Sequence, residues 1–286
     1  MKAPRALGLD VPYAGHPEQT HRIHYYAWGA DDAPPVLCVH GLTRNGRDFD
    51  YLADALSADF RVIAPDMPGR GKSEWLAYKN EYNLAAYMTN MSFFLNALKL
   101  GPVHWIGTSI GGLLGMLMAA QQPQRIRKLV LNDIGAEISG AALARIGTYA
   151  GKTMQFPNRT EAEKALRQIY APFGIRDEAM WKHFFDYDLQ NNPDGSVRRA
   201  YDPAIGEAFS ADPAQPNMEL WEIWKQVRCP VLVIRGAESD ILTKGTVEKM
   251  SRTHPGMAAR AVPGVGHAPT LAEAPDITKI HYWLKE

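Results

Sequence analysis

The sequence predicts an α/β protein: a doubly wound, mostly parallel sheet with a helical segment inserted late in the chain. Three observations carry this expectation. Short runs rich in Val, Ile and Leu recur between Pro, Gly and Asp breaks, and they are apolar without alternation, as strands buried on both faces are. Segments of helical spacing separate them, the alternation that builds parallel sheets through right-handed crossovers. The rhythm stops after Asp133 and resumes near residue 226.

In chain order, HRIHYYAWG (21–29) alternates polar and apolar residues and reads as an early antiparallel strand. PPVLCVH (34–40) is the first continuous apolar run, followed by helical spacing in DFDYLADALSADF, then RVIAPD (61–66) as the next strand. NLAAYMTNMSFFLNALKL reads as a helix, VHWIGTS (103–109) as a strand, GGLLGMLMAAQQ as a helix and KLVLND (128–133) as a strand. From 135 to 225 there is no convincing buried strand. Helical stretches such as EAEKALRQIY and DEAMWKHFFDYDL appear instead, punctuated by PDGS and DPAQPN, over a length too great for a plain loop. PVLVIRG (230–236) restores the pattern, with a helix near 244–253, a short strand near 258–262 and a terminal helix near 275–285. We therefore expect a core of residues 1–134 and 226–286, with 135–225 as a helical cap.

Bulk composition narrows the function classes. Lys plus Arg and Asp plus Glu both number 31, so no global field favours nucleic acid or an anionic membrane, and a small or neutral partner is expected. No segment approaches the ~20 apolar residues that cross a bilayer, and the N-terminus lacks a signal-like apolar run, so the default localisation is cytoplasmic. Cys38 and Cys229 adjoin strand-like runs and read as small buried hydrophobes. His104 and His183 read as core or surface residues; no histidine pair has ligand spacing with a third candidate nearby, so neither metal nor cofactor is expected. A homo-oligomer is left open.

The chemistry gathers around GTSIG. Ser109 follows an apolar strand and opens a helical run, so it sits at a strand-to-helix elbow with glycines at 107, 111 and 112 to permit the turn. The Ile110 amide then lies at a helix N-terminus, ready to donate to an oxyanion. A second donor, the Leu42 amide, is expected in the turn HGLTRNG after the strand that ends near His40. His267, in the glycine-flanked loop VPGVGHAP after the last short strand, is the candidate base. For the carboxylate that orients it we take Asp240, which follows VLVIRGAES, with Asp133 in VLNDIG as its competitor because it too ends a strand. GRGKS lacks the glycine five positions before Gly71 that a phosphate loop needs; Asp66 stands there.

Five blocks together, HGLTRNG (40–46), DMPGRGKS (66–73), GTSIGG (107–112), RGAESD (235–240) and GVGHAP (264–269), make the chain resemble the α/β-hydrolase superfamily over about residues 20–285. The resemblance implies Ser109 as nucleophile, Asp240 as acid, His267 as base, Leu42 and Ile110 as oxyanion amides, His40 as a supporting histidine, and 135–225 as a cap over the pocket. The activity it implies is hydrolysis of carboxylic esters or related small acyl compounds without a cofactor. Serine at the nucleophile position argues against the dehalogenase and epoxide-hydrolase branches, which place aspartate there. A C–C bond hydrolase, a lactonase and a non-catalytic small-molecule receptor are the alternatives.

Overall fold

The structure is a computed structural model describing residues 1–152, 154–209, 212 and 214–286, with the side chain of residue 208 also outside the description. Eight strands form the main sheet: β1 (Arg5–Pro12), β2 (Thr20–Trp28), β3 (Pro35–Val39), β4 (Arg61–Pro65), β5 (Val103–Thr108), β6 (Ile126–Asn132), β7 (Val231–Gly236) and β8 (Met257–Val262). Their spatial order is β1-β2-β4-β3-β5-β6-β7-β8. From β4 to β8 every pairing is parallel, whereas β2 runs antiparallel to both β1 and β4. The early antiparallel strand and the six parallel ones thus fall where the apolar runs place them. Strand β1 has no counterpart among the expected elements; it is an edge strand, mostly exposed, and lacks the buried run that marks the others.

Both faces of the sheet are covered, which explains the absence of alternation in the central strands. Val36 and Cys38 point into one layer with Leu52 and Leu56 of α1 (Asp50–Leu56) and with Ile280 and Trp283 of the terminal helix. Their neighbours Leu37 and Val39 point into the other layer, with Phe94 of α2 (Leu84–Ala97) and Leu114 of α3 (Ile110–Gln121). Successive side chains of one strand therefore serve two cores, and both faces are mostly apolar. No helix among the described residues is long and apolar enough to cross a membrane.

The insertion joins β6 to β7. It contains α4 (Gly140–Ala150), α5 (Arg159–Ile169) and α6 (Glu178–Asp188), but it is not purely helical as expected. Short strands at Gln155–Phe156, Leu189–Asn191 and Val197–Arg199 form a small antiparallel sheet, and Glu137–Ile138 pairs with Met218–Glu219. Pairings of two or three residues produce no readable period, which is why the sequence shows only the helices. The insertion docks over the carboxyl-end loops of the main sheet. Asn45 Nδ2 donates to Tyr187 O at 2.9 Å, Gly71 N to Ala200 O at 2.8 Å and Gly266 N to Pro172 O at 2.7 Å.

Register places the site. Thr108 at the end of β5 is level with Asn132 at the end of β6, and Asn132 is level with Ile234 of β7. The residues that follow, Ser109 and Asp133, emerge side by side at the carboxyl edge, where open parallel sheets present their ligands. Glycine is obligatory beside them: a Cβ on Gly111 would stand 2.0 Å from the Val39 carbonyl oxygen. Gly111→Ala is expected to destabilise the fold by about 3 kcal/mol or to prevent folding, because the obstacle is backbone rather than a movable side chain. Chemical denaturation of the variant checks this.

Candidate active site

Ser109 occupies the turn between β5 and α3 with φ 53° and ψ −120°, a conformation side-chain-bearing residues rarely adopt. The chain holds it there through Ser109 N–H to the Asn132 carbonyl at 2.9 Å, while the Ser109 carbonyl accepts from Gly112 and Leu113 at the start of α3. Strain of this kind persists only where surrounding contacts fix it, and here it turns the hydroxyl out of the helix toward the loop after β8.

Two hydrogen bonds continue from that hydroxyl. His267 Nε2 lies 3.0 Å from Ser109 Oγ, and His267 Nδ1 lies 2.8 Å from Asp133 Oδ2. Asp133 is fully buried, and its other donors come from the end of β7 and the loop that follows: Gly236 N–H at 2.7 Å to Oδ1 and Ser239 Oγ at 2.5 Å to Oδ2. With Nδ1 facing a carboxylate, the imidazole keeps its proton there and presents Nε2 to the serine.

The carboxylate at His267 is therefore Asp133, and Asp240 is not brought to the site. Asp240 stands four residues beyond Gly236, about half exposed, and pairs with Arg145 of α4 (Nε to Oδ2 2.5 Å, Nη2 to Oδ1 2.9 Å). The register explains the correction. Asp133 directly follows Asn132, level with the residue before Ser109, whereas the chain after β7 runs two residues farther before it leaves the sheet. By Asp240 it has passed over the edge. Ser239, not Asp240, turns inward, and it acts as a donor to Asp133 while its own oxygen accepts from the Ile241 and Leu242 amides.

The two amides singled out from the sequence flank the serine. Ile110 is the first residue of α3, and Leu42 lies in the turn after β3. Among the described residues neither N–H donates to a protein acceptor in a loop or cap bond. A Cβ built on Gly41 would stand 3.9 Å from Ser109 Cβ, which measures how closely the turn approaches the serine. His40 fixes the peptide that carries the Leu42 amide. It is fully buried, donates Nδ1–H to the Gly41 carbonyl at 2.7 Å and accepts the Met67 amide at Nε2, 2.9 Å away. Because the carbonyl and N–H of one peptide point in opposite directions, a carbonyl held toward His40 turns the Leu42 N–H away from it. Arg70, also buried, holds the next carbonyl, that of Leu42, through Nε at 2.8 Å.

Ser109 and His267 open into a cavity of about 190 Å³ between the sheet edge and the insertion. Its insertion wall is mostly apolar, with Ile146, Ile169, Phe173 and Phe184, and Arg145 and Tyr149 of α4 add polar groups. Behind it lies a buried ionic cluster that the sequence does not reveal. Arg44, two residues past Leu42, pairs with Asp48 and with Asp188; Arg199 pairs with the same Asp188; and the Tyr170 hydroxyl donates to Asp188 at 2.8 Å while both guanidinium groups donate to it. Two arginines meet two aspartates, so the cluster is neutral, and it ties the turn that carries Leu42 to the insertion. No group of His, Cys, Asp and Glu among the described residues could hold a metal ion.

Residues 34–273 match the family described as the alpha/beta hydrolase fold. The chain belongs to the α/β-hydrolase fold family. Relatives of this α/β hydrolase include a 3-hydroxybutyrate-oligomer hydrolase of Cupriavidus necator, 39% identical over 269 residues that cover 91% of this chain and 92% of that protein. A 2-(acetamidomethylene)succinate hydrolase of Mesorhizobium japonicum is 27% identical over 235 residues, 82% of this chain and 81% of that one. Among solved structures, an alpha/beta hydrolase from Novosphingobium aromaticivorans superposes with a TM-score of 0.87 at 34% identity, over 100% of this chain and 99% of that chain.

Burial pushes the His40 pKa down to about 4. Its two hydrogen bonds require the neutral ring, since a carbonyl can only accept and an amide N–H only donate. The folded pKa lies below the unfolded value, so the unfolded chain binds the extra proton first as pH falls. The stability contribution is full above about pH 6.5 and is lost between there and about 4, at up to about 1.4 kcal/mol per pH unit. Buried His104, pushed down to about 4, and His21 and His254, also lowered by burial, act in the same direction. Urea unfolding at pH 7, 6 and 5 is expected to show stability falling with pH; a flat profile would exclude the buried neutral histidines.

Proposed function

We propose that this α/β hydrolase cleaves carboxylic esters through an acyl-serine intermediate, with short hydroxyacyl esters as the substrate class. The observation that carries the reading is the unbroken chain from Ser109 Oγ through His267 to Asp133, opening on a largely apolar cavity beside two free amides. In the proposed cycle His267 Nε2 takes the Ser109 proton as Oγ attacks the carbonyl carbon. The Leu42 and Ile110 amides donate to the oxyanion, a contribution of about 3 kcal/mol per donor in comparable sites. The tetrahedral species collapses as His267 returns the proton to the leaving alcohol. Water then gives a proton to His267 and attacks the acyl carbon, and the acyl–Oγ bond breaks as His267 returns that proton to Ser109 Oγ, releasing the acid. Asp133 stabilises the imidazolium in both halves, Ser239 and the Gly236 amide hold Asp133, and the 135–225 insertion acts as the cap that limits which acyl groups enter.

The named substrate of the Cupriavidus relative supports hydroxyacyl esters over long acyl chains, and a cavity of about 190 Å³ agrees with a short acyl group. The Mesorhizobium relative supports a second reading, cleavage of a bond other than a simple ester in a small carboxylate. Both readings use the same three side chains.

A fluorophosphonate probe is expected to modify Ser109 alone, and Ser109→Ala to abolish turnover of p-nitrophenyl acetate; an adduct at another residue rejects the mechanism. Asp133→Asn is expected to lower kcat by roughly 10²- to 10⁴-fold, the range found when a base loses its orienting carboxylate. Asp240→Asn should cost less than about tenfold on the same neutral ester. The reverse ranking would return the acid role to Asp240.

A further inference from the structure

We propose that Arg145, held in place by Asp240, is a carboxylate-recognition site at the cavity, so that the substrate is an ester carrying a free acid on its alcohol portion. This rests on the ester-hydrolase reading above and goes beyond it by assigning the charge of the substrate and the residue that reads it.

The charges around the cavity point there. Its charged lining consists of Arg44, Asp48 and Arg145, apart from His267. Arg44 and Asp48 pair with each other, and Arg44 is further enclosed by Asp188 and Tyr170, so its donors are consumed. Arg145 is the excess positive charge of the lining. Its counter-ion Asp240 lies outside the lining and is about half exposed. An ion pair this open to water is weak, so it orients the guanidinium without satisfying it as a buried pair would. Asp240 engages Nε and Nη2 of a group with five N–H donors, and Tyr149, one helical turn on, lines the cavity beside it. Donors remain for a second carboxylate. Arg145, Ile146 and Tyr149 face the cavity from α4 together, an anion-reading group beside an apolar one.

The chemistry of the relatives' named substrates converges on this site. A 3-hydroxybutyrate oligomer ends in a free carboxylate four bonds from its terminal ester carbonyl carbon, and a substituted succinate carries two carboxylates. Either would bring an anion into the cavity close to the reacting carbonyl. A guanidinium presented as a flat fork suits a carboxylate better than an ammonium does.

The test compares the linear 3-hydroxybutyrate dimer with its methyl ester, which has the same scissile bond and no charge. Wild-type enzyme is expected to favour the free acid by about tenfold or more in kcat/KM, the scale of a charge-assisted hydrogen bond. In Arg145→Gln that ratio should collapse toward one through a higher KM for the acid, and Arg145→Lys should restore part of it. Equal handling of acid and methyl ester by the wild type overturns the proposal. So does an equal loss on both in Arg145→Gln, which would make Arg145 a purely structural tie between α4 and the loop after β7. If the dimer is not cleaved, both compounds are assayed as competitive inhibitors of p-nitrophenyl acetate hydrolysis, and the ratio of inhibition constants decides in the same way. Should p-nitrophenyl acetate itself not be turned over, the ester reading fails. Calorimetric binding of the dimer to wild type and Arg145→Gln then judges Arg145 separately, equal affinities overturning it.

Discussion

The site depends on how one buried carboxylate is satisfied. Asp133 has no exposed surface, and a carboxylate withdrawn from water must find donors or leave the interior. It finds three: the Gly236 amide, the Ser239 hydroxyl and the His267 ring. The first ends β7, the second lies in the loop after it and the third in the loop after β8. Satisfying this single group therefore draws two separate loops against the end of β6 and points His267 Nε2 at Ser109. A backbone N–H and a hydroxyl on the far side also restrict the carboxylate to one orientation, so the imidazole inherits its alignment from the sheet.

The oxyanion side is built on the same logic, with carbonyls held from below so that amides face the cavity. His40 takes the Gly41 carbonyl and Arg70 the Leu42 carbonyl, both from buried positions. The serine arrives by a different route, through a turn with positive φ that only the crowded glycines around it allow. Gly107 and Gly111 bring backbone to within contact of backbone, so the elbow, the end of β3 and the start of α3 form one rigid unit. Preorganisation here is a property of the main chain, which fits a site whose stabilising groups are largely amides.

Most of this was legible in the sequence because it is local. The parallel strands, the elbow at Ser109, the turn at Leu42 and the loop of His267 each carry their own signal, and strand ends identify where loops converge. The acid was misplaced because two aspartates follow strand ends and sequence spacing does not say how far each strand runs past the sheet edge. The distinguishing feature is register: Asp133 abuts Asn132, which pairs with Thr108, while Asp240 follows a strand that continues two residues beyond that level. The ionic cluster of Arg44, Asp48, Tyr170, Asp188 and Arg199 was hidden for a related reason. Its members are spread over more than 150 positions, and each alone looks like an ordinary surface charge or core aromatic.

That cluster bears on how the insertion can serve as a cap. Buried ion pairs add little net stability, since desolvation offsets most of the attraction, but they penalise any arrangement that leaves one member unpaired. An insertion docked by apolar contacts alone could slide; one whose buried Asp188, already paired with Arg199 of the insertion, also meets Arg44 of the core has a single acceptable position. Because Arg44 sits two residues from Leu42, that position is referenced to the oxyanion turn itself. The cavity wall contributed by the insertion and the turn that carries Leu42 are therefore held together by one buried ion pair. A sliding or tilting insertion would strand a buried charge before it misplaced the substrate. Arg145, by contrast, meets Asp240 where the pair is open to water, so the insertion's two ionic contacts with the core differ in kind: one is locked by burial, the other is exposed.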